Sequence, residues 1–401
     1  MYDIAIIGTG VAGAFTILKL ATEYPDLKIL AIDIGRPPAK RRRQLEGWLG
    51  CLPNSDGKLY LTDLDKTSIQ IGKKKSKSYL SYVKSVISNV KDLQEAPNSP
   101  PKTNLLKKIA KHNYEFELNN YIPTEPKDSH ALSKYMVSKI EPNKNVKMLF
   151  DEEVIDLSKE KKYFTVKTEY SEHKAKKVLL CAGRAGWRWA NSIYSKFGII
   201  QNNDYAKFGI KIETQAENLK DFNHSTCTLK KENLEIGPFC WGGTVIPEDH
   251  IDTAITAFRA NENRWITDKV SFDLMGKIEF KNTGIQQLDR IARLTFLIAN
   301  DRIVKEKLSS ILTKKSKISI IPEYDWLIQP LKDLYALMPE LEEKSYYHVP
   351  TITAATSSIN IYDNLQTDIP GLFVAGESAN ITGLLSAMIT GSAAADFMVG
   401  E

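Results

Sequence analysis

An unbroken apolar run, Ile4-Ala5-Ile6-Ile7, stops abruptly at Gly8-Thr9-Gly10. Apolar residues then return at helical spacing through Phe15, Leu18 and Leu20. A second solid run, Lys28 to Ile32, ends on Asp33. This pattern predicts a strand–turn–helix–strand unit over residues 3–33. Runs without polar alternation predict strands buried on both faces, as in a parallel sheet.

The pattern then loosens. A basic stretch, Arg36 to Arg43, leads to a turn-rich loop, Cys51-Leu52-Pro53-Asn54-Ser55-Asp56-Gly57-Lys58. Residues 72–128 are lysine-rich and broken by prolines, which predicts a helical insertion with exposed loops. A helix is expected over Ser129–Ile140. Three β-like segments follow, Val146–Leu157, Tyr163–Glu169 and Lys174–Cys181, spaced as an antiparallel meander. From about Trp187 to Tyr346 the chain is mixed. It has strand patterns at Phe208–Glu213 and Phe239–Val245 and a helical one at Gln286–Ala299. Near the end, Gly371 to Glu377 predicts a short buried strand with a tight exit. Ile381 to Val399 predicts a helix rich in Gly and Ala, whose small residues permit close backbone approach to something flat or to another element.

Composition narrows the class. The 401 residues are 42% hydrophobic with a net charge of +5. That length suggests two intertwined domains, and the mild charge gives no argument for stable nucleic-acid binding. No run approaches the ~20 apolar residues of a membrane span, though peripheral membrane contact stays open. A first strand starting at Tyr2 predicts no signal or transit peptide. Cys51, Cys181, Cys227 and Cys240 are scattered, as are the histidines. This predicts reduced thiols in a cytoplasmic protein and no metal site.

The glycine turn carries the strongest chemistry. In Gly8-x-Gly10-x-x-Gly13, Gly8 allows the tight turn out of the strand. Gly10 lets backbone approach a pyrophosphate, and Gly13 lets helix pack on strand. The helix N-terminus offers free N–H groups to phosphate. Asp33, about 20 residues on, stands where an acid accepts from ribose hydroxyls, which favours FAD or NAD over NADP. Arg41, Arg42 and Arg43 read as a solvated loop or as contacts to phosphates.

Two further strand ends carry glycine late in the chain, Ala182-Gly183-Arg184 and Ala375-Gly376-Glu377. If both lie beside the first strand, the sheet is assembled from distant pieces, which suits an extended FAD better than NAD. The helix near Ile381 would then aim its positive N-terminal end at the flavin N1/C2=O edge.

Together these motifs resemble flavoproteins of the glutathione-reductase-like fold, in the branch of geranylgeranyl-reductase-like enzymes. They are most similar to a bacterial group of uncharacterised FAD-dependent dehydrogenases. Ser55-Asp56-Gly57-Lys58-Leu59, Ala182 to Gly186, Phe208 to Glu213, Phe239-Cys240-Trp241-Gly242-Gly243 and Gly371 through Gly391 carry the resemblance. Where the group often has a glycine-rich run before Ser-Asp-Gly-Lys, this chain has Cys51-Leu52-Pro53-Asn54. Residues 72–128 lie outside it, and no second dinucleotide fingerprint follows.

The resemblance implies an α/β architecture: a Rossmann-like discontinuous FAD-binding domain with a β-meander (1–71, 129–190 and 347–401), the insertion 72–128, and a mixed α+β substrate domain (191–346). Cofactor-facing positions are then Gly8, Gly10, Val11, Ala12 and Gly13; Asp33, Ile34 and Arg43; Ser55, Asp56, Gly57 and Lys58; Val154; Ala182, Gly183 and Arg184; and Gly376, Glu377, Gly383 and Leu384. Glu377 contacts the ribityl chain or phosphates, or simply complements a helix N-terminus. Lys58 is a charge near flavin N5 or the pyrophosphate, or a solvated lysine. Asp56 reads first as a turn residue. Cys240 is a proton donor or nucleophile, or a buried structural thiol, and Trp241 stacks on ring or substrate, or fills a core.

The activity implied is hydride transfer between flavin N5 and a small or apolar organic substrate, in either direction, with an unspecified electron donor or acceptor. A monooxygenase or oxidase using O2 is the alternative, although the aromatic-hydroxylase branch has Gly-Asp where this chain has Gly376-Glu377. A flavin-bearing RNA-modifying or RNA-binding protein, suggested by the lysines of 72–128, is a further one.

Overall fold

The computed structural model describes residues 1–41, 44–250, 253–260, 266–300, 302–354 and 358–400. Its first sheet has seven strands. Tyr2–Ile7 lies at the centre, parallel to Ile29–Ile32 on one side and to Glu172–Leu180 on the other. Val146–Leu149 extends the sheet beyond Ile29–Ile32, again in parallel. The strand Glu172–Leu180 forks. Its first half pairs antiparallel with Phe164–Thr168, and its second half pairs parallel with Leu372–Val374. Strands from both ends of the chain therefore flank the end of Glu172–Leu180.

The expected meander differs in one respect. Residues 146–157 are two strands on opposite sides of the sheet, not one. Val146–Leu149 joins the parallel edge, and Val154–Lys159 pairs with Phe164–Thr168. The break falls at Asp151, which adopts φ 55°. A left-handed residue cannot continue a strand. The hydrophobic pattern reads through this break because both halves are apolar.

The helices Val11–Glu23 and Leu384–Gly400 pack on each other and on this sheet. A Cβ on Gly391 would stand 2.1 Å from the Ala12 carbonyl oxygen. Thr16 Oγ1 donates to the Gly391 carbonyl at 2.7 Å. The small residues of the last helix thus serve close helix–helix approach.

The second sheet has eight antiparallel strands, centred on Tyr205–Gln215 and Lys269–Glu279. Alternation along a strand sends successive side chains to opposite faces. Phe208, Ile210 and Ile212 enter a second apolar core with Leu288 and Ile291 of the helix Gly284–Ile298. Gly209, Lys211 and Glu213 point the other way. The stretch 72–128 is shared between the two cores. Lys73–Ile87 buries Val83, Val86 and Ile87 in the first, while Glu115–Leu118 pairs with Cys227–Lys231 in the second sheet.

Gly391→Val should force the first and last helices apart, costing roughly 1–3 kcal/mol as an overpacked contact. Gly400→Ala, where an added Cβ meets nothing within 4 Å, should be neutral. Denaturant unfolding of the two variants checks this.

Candidate functional site

A cavity of about 410 Å³ opens where the carboxyl ends of Tyr2–Ile7, Ile29–Ile32, Glu172–Leu180 and Leu372–Val374 meet. In open α/β sheets this is where ligands bind. Its walls include Gly8, Gly10, Val11, Ala12, Asp33, Ile34, Val154, Ala182, Gly183, Arg184, Gly376, Glu377, Gly383 and Leu384. Residues far apart in sequence are thus brought together.

The glycines behave differently from one another. A Cβ on Gly13 would lie 2.0 Å from the Gly8 carbonyl oxygen, so Gly13 serves helix–turn packing outside the cavity wall. A Cβ on Gly10 would meet only the Cα of Gly50, at 3.9 Å, and one on Gly183 would meet nothing within 4 Å. Those two positions leave open space beside the backbone, on the cavity side.

Asp33 departs from the expected role. Its Oδ2 accepts from the Thr9 N–H at 2.6 Å and from the Thr9 hydroxyl at 2.9 Å. Its Oδ1 accepts from the N–H groups of Gly35 at 2.7 Å and Gly47 at 2.9 Å. A carboxylate has about four acceptor positions, and protein donors take all of them. Asp33 therefore fixes the cavity floor and has no acceptor left for ribose hydroxyls. Arg41 closes the adjoining loop by donating to the carbonyls of Trp48 and Gly50. Arg43 lies outside the described residues.

Arg184 bridges two carboxylates across the cavity. It donates to Glu377 at 3.1 and 3.3 Å and to Glu248 at 3.4 Å. Glu377 and then Glu248 hold its guanidinium firmly charged against the effect of burial. Burial alone would raise the Glu248 carboxyl, but Arg184 and His250 bring it below its ordinary value. Cys51 also lines the cavity, and burial, reinforced by Glu248 and Glu377, pushes its thiol up to about 12. Gly47, Gly50, Cys51, Glu248 and His250 are wall residues that sequence reasoning missed. The pair Gly47 and Gly50 was the available signal for the loop. Glu248 and His250 belong to a polar run, Glu248-Asp249-His250, that follows the apolar Val245-Ile246-Pro247.

The start of the last helix is not open as expected. Asp63, buried, packs against Gly383, where a Cβ would stand 2.1 Å from its Oδ2. Its Oδ1 accepts from Lys66 at 3.0 Å, while Oδ2 has no hydrogen-bond partner. A carboxyl group already sits at this positive helix end.

Ser55, Asp56, Gly57 and Lys58 do not line the cavity. Ser55 Oγ donates to the Leu52 carbonyl, and Asp56 Oδ1 accepts from the Lys58 N–H at 3.3 Å, an Asx turn. Lys58 is buried, with its Nζ 3.6 Å from Asp56 and 5.5 Å from the rings of Tyr121 and Phe258. Asp56 Oδ2 accepts from Tyr60 at 2.9 Å and lies 3.7 Å from Cys240 Sγ. Burial raises the Cys240 thiol, with Lys58 opposing, so the sulfur stays protonated at neutral pH. This argues against Cys240 as a nucleophile. Trp241 is the next residue in the strand Cys240–Trp241 and faces away from it. Its Nε1 donates to the Ser225 carbonyl at 2.8 Å and its ring meets His224 edge-on, so it belongs to the protein interior rather than to a stacking site.

No family model and no curated protein matches the chain. Among solved structures it is similar to glycine oxidase from Geobacillus kaustophilus, with 14% identity, 100% of this chain and 95% of that chain covered, and a TM-score of 0.45. It is also similar to an E. coli quinol fumarate reductase, with 11% identity, 100% and 70% covered, and a TM-score of 0.46. A third is the halogenase PltM in complex with phloroglucinol and FAD, with 13% identity, 98% and 67% covered, and a TM-score of 0.41. Among the described residues, no helix is long and apolar enough to cross a membrane and no cluster has the makings of a metal site.

Asp63 generates a pH prediction. Burial raises its carboxyl above 3.8, outweighing Lys66 and the N–H groups of Ser386 and Leu385. The folded state thus holds this proton more tightly than the unfolded chain does. That contribution is full below 3.8 and is lost as pH rises through the folded value. Asp63→Asn removes the buried charge, so its melting temperature should exceed that of the parent at pH 7. The gain should shrink toward acid. A gain that grows toward acid would contradict this assignment.

Proposed function

We propose that the chain is an FAD-dependent oxidoreductase and that the cavity at the carboxyl ends of the strands is its cofactor site. One observation carries the reading. A single cavity runs from the N-terminus of the first helix, at Gly10 and Val11, to the start of the last, at Gly383 and Leu384. Such a span suits an extended dinucleotide.

The residues present fit the group. Gly10 and Gly183 leave space where a Cβ would otherwise project. The pyrophosphate would rest on the turn Gly8–Gly13, against the free N–H groups of the first helix. Ile34 and Val154 would flank the adenosine end. Arg184 spends only part of its five-donor fork on Glu377 and Glu248, so it can also reach phosphate oxygens. Glu377 would hold the ribityl chain through its remaining carboxylate oxygen. FAD, when bound, supplies hydride or electron transfer. The protein's part is to fix the cofactor, keep Cys51 a neutral thiol beside it, and exclude water with the apolar wall around Ile7 and Leu384.

The purified protein should show flavin absorbance near ~370 and ~450 nm, with free FAD released on heating. Gly10→Leu should abolish FAD retention while leaving the thermal transition in place, because its added atoms enter the cavity rather than the core. A colourless protein that gains no flavin signal on titration with FAD would overturn the proposal.

A further inference from the structure

The second sheet has an unusual buried face. Opposite its apolar core, neighbouring strands line up Lys305, His348, Lys211 and Asp273 in one row and Glu213, Ser271 and Cys240 in the next. Glu213, His348, Ser271, Lys211 and Cys240 are all buried. Glu213 Oε1 accepts from Lys305 at 2.9 Å and from Lys269 at 3.0 Å. Burial alone would raise its carboxyl. Lys305 and Lys269, which donate to it, instead hold it well below the usual carboxylate range. Lys211 pairs with Asp273 at 2.5 Å. The loop carrying Asp56, Lys58 and Tyr60 covers this face at Cys240. The hairpin of Thr244–Asp249 and Ala254–Arg259 covers it at Thr351, which bonds to Thr256. The hairpin also walls the cofactor cavity, through Glu248, and Cys51, five residues before Asp56, lines it as well.

Two features set this face apart from a closed ion-pair network. First, it has orphaned polar atoms. Ser271 Oγ and both ring nitrogens of His348 have no hydrogen-bond partner, and the His348–Glu213 separation of 3.9 Å is too long for one. Buried polar groups are nearly always satisfied, so these three atoms, on the two strands that flank Tyr205–Gln215, mark positions that a ligand can satisfy. Second, the charges do not cancel. Lys58, Lys211, Lys269 and Lys305 face three carboxylates, Asp56, Asp273 and Glu213, so that Lys269 and Lys305 share Glu213. An apolar substrate would leave both features uncorrected.

We infer that this face is the substrate site and that it takes a small polar carboxylate. The inference rests on the oxidoreductase reading, which supplies the adjacent cofactor. The carboxylate balances the excess positive charge and accepts from Ser271 and from the His348 N–H. The other His348 nitrogen accepts from a hydroxyl or amino substituent. Lys211 orients the ligand electrostatically, and the neutral Cys240 thiol lies at the cover.

The test is 19F NMR titration of the full-length protein, its FAD content recorded by absorbance, with 3,3,3-trifluorolactate and its amide. The acid should bind and the amide should bind at least tenfold more weakly. Ser271→Ala, His348→Phe and Lys211→Met should each weaken the acid at least tenfold, with circular dichroism and FAD titration unchanged. Ser271→Ala removes only an unpaired hydroxyl, so it should fold even if the others do not. Equal affinity for acid and amide, no binding of either, or parental affinity in Ser271→Ala would overturn the inference. A flavin-free protein that still discriminates acid from amide would instead overturn the cofactor reading and leave the carboxylate site standing.

Discussion

The carboxylate of Asp33 is the constraint on which the rest of the site depends. It lies at the end of the second strand and ties together three pieces of backbone that have no other reason to meet. These are the glycine turn at Thr9, the exit of its own strand at Gly35, and the loop at Gly47. Hydrogen bonds to a charged acceptor are roughly twice as strong as neutral ones. Backbone donors that would otherwise be buried unpaired find their partner here. The loop then returns the tie, since the Leu49 N–H donates to the Thr9 carbonyl at 2.9 Å. Floor and wall of the cavity are set before any ligand arrives, which lowers the ordering cost of binding.

The two sheets divide the work. The central parallel strands of the first are buried on both faces and serve as scaffold, with the cavity at their ends. The second is apolar on one face only. Its other face buries Glu213, Lys211 and His348, groups that cost several kcal/mol each to desolvate unless paired. Such a face contributes little to stability for its size. Local rules are broken where function needs them, and this face lies next to the hairpin that walls the cavity through Glu248.

Much of the scaffold was legible in the chain. Solid apolar runs marked the parallel strands, and glycine at three separated strand ends marked the cavity walls. What escaped has physical causes. The break at Asp151 is a single left-handed residue inside an apolar stretch, and periodicity does not see it. Asp33 reads in sequence as a ribose acceptor, because nothing in sequence distance reveals that the N–H groups of Gly35 and Gly47 take its oxygens. Cys240 and Trp241 were treated as neighbours in one site, although adjacent strand residues face opposite ways. Asp63 at the last helix had no local signal, since it meets Gly383 only through tertiary contact. The polar face of the second sheet was half visible in Phe208-Gly209-Ile210-Lys211-Ile212-Glu213, whose alternation was read for its apolar half alone.

The contact between the first and last helices has a further consequence, for the order in which the protein can assemble. Thr16 and the Gly391 carbonyl it bonds are 375 residues apart. A ribosome adding ~5–20 residues per second delivers the second partner well after the first. Until then, the first helix shows Ala12 and Thr16 to solvent without their partner Gly391, and the cavity has no far wall. The end of the cavity at the glycine turn can form early, from residues 1–50. The opposite end must wait for the last helix. The cavity is therefore complete only late in the life of each new chain, and the final helix is the latch that closes it.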